Sequence, residues 1–339
     1  MHLSSSILST TLCLAASVSA LAQKQSRASP GLPPSLDPWY TAPDNLFSYP
    51  AGSIIKVRPD PLNLYAAIGT NATSASYNIL YRTSDSNQMP SFAVTTLFVP
   101  AFRSSKKKNS ALLSYQIPYN SPSVDASPSW TLGSQYSSTF GDITAALQQG
   151  WYVSVTDFEG PNATFAVGVA EGHAVLDGVR AVTQSPLSPA SLSAAAPPPP
   201  PPLTNKWSIS MWGYSGGSIA TEFAAELQSS YAPDIAIAGV AIGGLTTPLL
   251  NVVDSVNESP YACLIVLGLW GYANTYPVVE SYLLSRLTPE VQASGNFTMG
   301  RNMSFEEAVE PYYDVDVYSY FIGGGNGRTW AAGHADVCV

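Results

Sequence analysis

The sequence predicts an α/β fold, doubly wound around a mostly parallel sheet. Two observations carry this. Strand and helix patterns alternate from residue 111 to residue 242, which calls for crossover helices between parallel strands. At the centre of that alternation, residues 207–228 (WSISMWGYSGGSIATEFAAELQ) read as a strand, a tight turn and a helix. Ile209 and Met211 share one strand face, and Ala220, Phe223, Ala224 and Leu227 fall at i, i+3, i+4 and i+7 of the helix. The run that follows, residues 235–242 (IAIAGVAI), has the composition of a buried parallel strand.

The remaining elements follow in chain order. Residues 1–22 read as a secretory signal, with an apolar and small-residue stretch at 7–18 and an A-x-A site at Ala20-Leu21-Ala22 before Gln23. Residues 23–50 are rich in Pro and Ser and read as an irregular arm on the domain surface. The core is expected over residues 51–244. A short strand at 54–58 ends at Pro59, and alternating β-branched and aromatic residues at 76–82 and 92–100 read as antiparallel strands at one sheet edge. Lys106-Lys107-Lys108 reads as a solvated turn. A central strand is expected at 111–117, a helix at 139–149 closed by Gly150, and a strand at 151–158. A helix is expected at 172–183, opened by His173 in a capping or packing role. Residues 185–202, with six consecutive prolines, read as an exposed extended insertion. Residues 245–319 change character to apolar helices, a block that reads either as a lid over the mouth of the site or as ordinary core helices, and 320–339 form a Gly-rich irregular tail.

Composition narrows the partners. Only 11% of the 339 residues are charged and the net charge is −9, which argues against nucleic acid and anionic membrane surfaces. Five N-x-S/T sequons, at Asn71, Asn162, Asn257, Asn296 and Asn302, agree with a secreted glycoprotein. Outside the signal only Cys263 and Cys338 remain, so at most one disulfide is possible, and no cysteine pair has zinc spacing.

The turn Gly213-Tyr214-Ser215-Gly216-Gly217 fits G-x-S-x-G, the nucleophile elbow that places a serine on a strained strand-to-helix turn. Ser215 is therefore the candidate nucleophile. Such a serine needs a base, usually His, oriented by an acid, in the chain order Ser, acid, His. Only His334 has that order, and acids such as Asp254, Asp314 and Asp316 lie between without one standing out.

Several separate motifs resemble the fungal secretory lipases, the lipase A type of α/β-hydrolase. They are SYQIPYNS from Ser114, DFEGPNATFAVG from Asp157, GHAVLDGVRA from Gly172, WGYSGGSIA from Trp212, YAPDIAIAGVAIGG from Tyr231 and GLWGYANTYP from Gly268. The resemblance runs from about Pro38 to about Gly323. It implies a secreted, monomeric hydrolase of triacylglycerols and other esters at a lipid–water interface, acting through an acyl-enzyme on Ser215 without metal or cofactor. The oxyanion donors it implies are the Gly216 N–H and Asn120. Asn120 stands where the family usually has Asp, Ala126 where a disulfide cysteine is common, and the proline tract is unusual. Family members run longer, and no residue here matches their triad Asp or His. The C-terminal part of the fold is thus expected to be incomplete, and an inactive, at most lipid-binding glycoprotein is the alternative.

Overall fold

The computed structural model describes residues 31–102, 110–135, 137–183 and 207–324. The signal, Lys106–108, the proline tract, His334 and Cys338 lie outside the described residues.

Seven strands form one mixed sheet. They are β1 (Ile54–Pro59), β2 (Thr73–Ser84), β3 (Pro90–Pro100), β4 (Ser110–Gln116), β5 (Tyr152–Thr156), β6 (Trp207–Tyr214) and β7 (Ile237–Gly243). Their order is β1-β2-β3-β5-β4-β6-β7. The β1, β2, β3 side is antiparallel, as its alternating residues predict, and joins β5 antiparallel through Thr95 and Thr156. From β5 through β4 and β6 to β7 the pairing is parallel.

Strand alternation decides which helix covers which face. Tyr115 donates its hydroxyl proton to Asp142 of α1 (Phe140–Gln148), so α1 lies on the Tyr115 face. Gln116, one residue on, meets Thr221 of α3 (Gly216–Tyr231), so α3 lies on the opposite face. The helix α2 (Gly168–Thr183) joins α3 there: Tyr81 and Thr156 approach Gly178, and Gly168 and Gly172 abut Phe223. The sheet is thus wound on both sides. The helix α2 begins four residues before the expected start, so His173 sits within it rather than opening it.

Arg180 fastens α2 to α3. Its guanidinium reaches Asp177 at 2.8 Å, the Tyr231 carbonyl at 2.9 Å and Asp234 through two nitrogens. Asp177, with a fully buried side chain, also accepts the Tyr231 hydroxyl at 2.6 Å.

The arm from residue 31 lies on the sheet through side-chain bonds rather than regular structure. Asp37 pairs with Arg58, Ser35 with Asp125, and Tyr40 with Ser129.

Beyond β7 the chain is helical: α4 (Leu249–Val256), α5 (Cys263–Thr275), α6 (Pro277–Arg286), α7 (Pro289–Ser294) and α8 (Phe305–Val309). These helices bury their own apolar cluster, with Trp270, Phe297, Tyr312 and Phe321 at its centre. The cluster also takes in Phe165 and Ile219, so the block rests on the loop after β5 and on the first turn of α3.

One expectation about burial is corrected. Strand β7 is not buried: Val240 is 41% exposed and Ile242 38%, and the strand pairs only with β6 among the described residues. An apolar run without alternation fits any strand meant to be covered on both faces, and nothing in it says whether the cover is present.

Removing the α2–α3 clamp has a predictable cost. Arg180→Ala leaves the buried Asp177 without its cation and is expected to lower unfolding free energy by about 3 kcal/mol in urea titrations. A loss below about 1 kcal/mol would show that the clamp is not structural.

Candidate active site

Strand β6 hands over to α3 in a single residue. Ser215 stands between them at φ 53°, ψ −124°, a region that L residues rarely occupy. Its N–H donates to the Gly243 carbonyl at 3.0 Å, tying the turn to the end of β7. Its carbonyl accepts the Ser218 N–H at 2.8 Å and the Ser218 hydroxyl.

Glycine at 213 and 217 is required by space. A Cβ at 213 would overlap the Gly217 carbonyl and the Thr221 hydroxyl, and one at 217 would overlap the Gln116 carbonyl. At 216 a Cβ would occupy the place of the Asn120 amide oxygen. The elbow therefore presents Ser215 half-exposed at the C-terminal edge of the sheet, with Tyr214 beside it 58% exposed.

The expected oxyanion donors meet here. The Gly216 N–H is among the first four amides of α3, which have no partner within a helix and carry the positive end of its dipole. The Asn120 amide packs against the Gly216 Cα. Asn120 is buried in a left-handed conformation (φ 47°), and its Oδ1 has no hydrogen-bond partner. An amide beside a helix N-terminus can stabilise a developing oxyanion.

Beneath this loop lies a layer of buried acids that the sequence reading did not pick out. Glu159 accepts the Ser121 N–H at 3.4 Å. Glu171 accepts the Ala166 N–H at 2.8 Å, and burial pushes its carboxyl up to about 8. Burial, then the neighbouring Glu171, push Glu159 well above its ordinary value. Asp157, at the end of β5, accepts the Ser129 N–H and hydroxyl, and burial raises it to about 7. A charged residue set in an otherwise apolar motif, as in DFEG, was the available signal.

The bases and acids considered from sequence do not assemble around Ser215 within the described residues. His173 is buried, stacks on Tyr231 at 3.9 Å and contacts the Asp85 carbonyl at 3.2 Å. Tyr231 ends α3 and Ser215 begins it, a separation of roughly 24 Å at 1.5 Å per residue. His173 is a packing residue, and burial lowers its pKa. Asp254 accepts the Tyr318 hydroxyl, and Asp316 accepts the Asn257 amide and the Tyr318 N–H, all within the helical block. Asp314 is exposed. His334 lies outside the described residues.

A cavity of about 400 Å³ opens elsewhere, between the arm and β3, lined by Tyr40, Phe92, Val94 and Asp157 among others, and it includes no elbow residue. Cys263 is buried and has no disulfide partner among the described residues, and burial raises its thiol to about 11.

Comparison with known proteins fits this geometry. The family model described as secretory lipase matches residues 125–326, more than half of the chain. The chain belongs to the secretory lipase family. Its relatives include the trichothecene C-3 esterase of Fusarium sporotrichioides, 40% identical over 88% of this chain and 66% of the relative. Lipase A of Arthroderma benhamiae is 32% identical over 86% of this chain and 61% of the lipase. The crystal structure of Candida antarctica lipase A superposes with a TM-score of 0.75 at 28% identity, covering 89% of this chain and 66% of that one. The fold is thus that of the α/β-hydrolases, and the chain spans less than two thirds of the length of several of these secretory lipase relatives.

The elbow's strain is measurable. Glycine tolerates φ 53° where alanine does not. Ser215→Gly is expected to be about 1 kcal/mol more stable than Ser215→Ala in urea unfolding. Equal stabilities would mean that the turn stores no strain.

Proposed function

We propose that the protein is a secreted serine carboxylic-ester hydrolase of lipase type. The observation that carries the reading is the elbow: Ser215 at φ 53°, half-exposed, beside the first amides of α3 and the Asn120 amide. In this reading Ser215 Oγ attacks the ester carbonyl carbon and its proton passes to a base. The carbonyl oxygen takes up negative charge facing the Gly216 N–H and the Asn120 side-chain amide. Collapse expels the alcohol, which leaves with the proton, and water then releases the acid from the acyl-enzyme. This acyl transfer calls for neither metal nor cofactor. His334 is the one histidine with the family's chain order, and it is the base to test first.

The substrates are triacylglycerols and other esters met at a lipid–water interface, with the protein as a monomer. The helical block from residue 245 rests on the first turn of α3 and serves as a lid over the acyl chain. A second reading is favoured by the relatives: trichothecene esterases match at 40% and 35% identity, against 32% for Lipase A. By that reading the substrate is an ester on a rigid polycyclic alcohol.

Secretion follows from the family and from the leader read at residues 1–22, and no helix among the described residues is long and apolar enough to cross a membrane. Glycans are assigned to Asn71, Asn162, Asn296 and Asn302, which are exposed. Asn257 is only half-buried, but its amide donates to Asp316 and accepts from the Val317 N–H, both at 2.8 Å. It is the least suited of the five.

Hydrolysis of p-nitrophenyl butyrate and palmitate, emulsified trioctanoin and a trichothecene C-3 acetate, by the secreted protein and by Ser215→Ala, tests the reading. Ester cleavage that falls by at least about 1,000-fold in the variant is expected. Preference for trioctanoin supports the lipase reading, and preference for the C-3 acetate the second. A folded protein that cleaves none of them would leave a glycoprotein that at most binds lipid.

A further inference from the structure

The cavity between the arm and β3 takes no part in the ester chemistry, yet it is built as a binding site would be. Its volume of about 400 Å³ falls at the small end of the range for small-molecule pockets, roughly 300–1,000 Å³. Its walls are mostly apolar. Leu36 and Pro38 come from the arm, Phe92 and Val94 from β3, Val124 from the stretch after Asn120, and Pro161 from the loop after β5. Leu36 is 66% exposed, which places the rim of the cavity at the surface.

A carboxyl group forms part of the wall away from that rim. Asp157 lines the cavity and is only 3% exposed. Ser129 holds it, donating its N–H to Oδ1 at 2.8 Å and its hydroxyl to Oδ2. The Ser129 hydroxyl also meets the Tyr40 hydroxyl at 2.7 Å. Ser129 thus fills two of the roughly four acceptor positions that a carboxylate offers.

The charge on this wall is one-sided. No Lys, Arg or His lines the cavity, and its acids are Asp37 and Asp157. Asp37 is already paired with Arg58, whose guanidinium lies 4.1 Å from the Trp39 ring and 5.2 Å from that of Tyr40. Asp157 has no such pair among the described residues. A buried carboxylate without a cation is costly, and the cavity gives a cation from outside a way to reach it.

We propose that this cavity is a binding site, separate from the Ser215 elbow, for a small organic ammonium ion, with the protonated amine at Asp157 and its apolar body among Leu36, Phe92, Val94 and Pro161. The ammonium donates to the acceptor positions that Ser129 leaves open, and the Tyr40 and Phe92 rings supply aromatic surface that favours a cation. An anion would meet two acids, and a neutral ligand would leave the Asp157 charge unpaired. The site does not depend on the ester-hydrolase reading.

The pairing also sets the sign of a pH dependence. Burial, opposed by the Ser129 hydrogen bonds, holds the Asp157 carboxyl up at about 7. The other titratable groups that feel its charge are Tyr40 of the arm, Tyr81 of β2, Tyr119 of the loop after β4 and Glu159, and burial raises all four. An ammonium prefers the ionised carboxylate, so its affinity rises as pH goes up through about 7.

The test is calorimetric titration of the full secreted chain with phenethylamine, beside phenethyl alcohol and 3-phenylpropionate, which keep the apolar body and change the charge. At pH 8 phenethylamine is expected to bind at least about 10-fold more tightly than either, the effect of one hydrogen bond to a charged group. Asp157→Asn keeps the shape and an acceptor for Ser129. It is expected to lose that factor, and with it the rise in affinity between pH 5 and 8. Leu36→Trp fills the cavity from its exposed rim, and is expected to melt like wild type and to weaken the amine by at least about 10-fold.

Phenethyl alcohol that binds as tightly as the amine would overturn the proposal. So would an amine affinity that neither variant changes, or no amine binding to folded wild type at millimolar concentration. If Asp157→Asn does not fold, the three probes on wild type and the Leu36→Trp result decide the matter. A chain that binds the amine and cleaves no ester fails only the ester-hydrolase reading.

Discussion

Ser215 is held at φ 53°, ψ −124°, and the chain around it leaves no room for another path. A backbone of that kind costs an L residue of order 1–3 kcal/mol and persists only where its surroundings over-determine it. They do so here. The Gly243 carbonyl holds the Ser215 N–H, and Ser218 holds the Ser215 carbonyl. The bare Cα atoms of Gly213 and Gly217 let β6, α3 and the end of β4 approach within a distance that any side chain would block. The helical block packs on the first turn of α3, directly beyond that connection.

The same economy governs the acid layer. A loop buried between the sheet and the helical block must find partners for its own amides. The chain from Asp157 to Val167 does so mainly through turns, its Asp157, Gly160, Ala163, Thr164 and Val167 N–H groups donating to main-chain carbonyls, while Glu171 takes the Ala166 N–H and Glu159 takes the Ser121 N–H of the loop that carries Asn120. This couples the Asn120 loop to α2 and, through Asn274 and Met303, to the helical block. The helical block is thus tied to the loop that carries Asn120 by hydrogen bonds and not only by apolar contact.

The elbow was legible in the sequence because its demands are local. G-x-S-x-G, the i, i+3, i+4, i+7 apolar face and the alternation at the antiparallel edge each depend on neighbours along the chain. The bland role of His173 was legible as well, since it precedes Ser215 and has no acid paired with it in sequence. The misses are non-local. The run IAIAGVAI reads the same whether β7 is interior or exposed. The start of α2 at Gly168 was hidden because Gly-Val-Ala-Glu carries no capping residue. Glu159 and Glu171 stand twelve residues apart, and only the fold brings them into one buried layer.

The central claim is that Ser215 is an activated nucleophile. A fluorophosphonate reacts with such a serine and not with an ordinary one, and the adduct can be located by peptide mass spectrometry. The account predicts one adduct per chain, on the peptide containing Ser215, and none in Ser215→Ala. A folded protein that stays unlabelled, or one labelled at another serine, would contradict it.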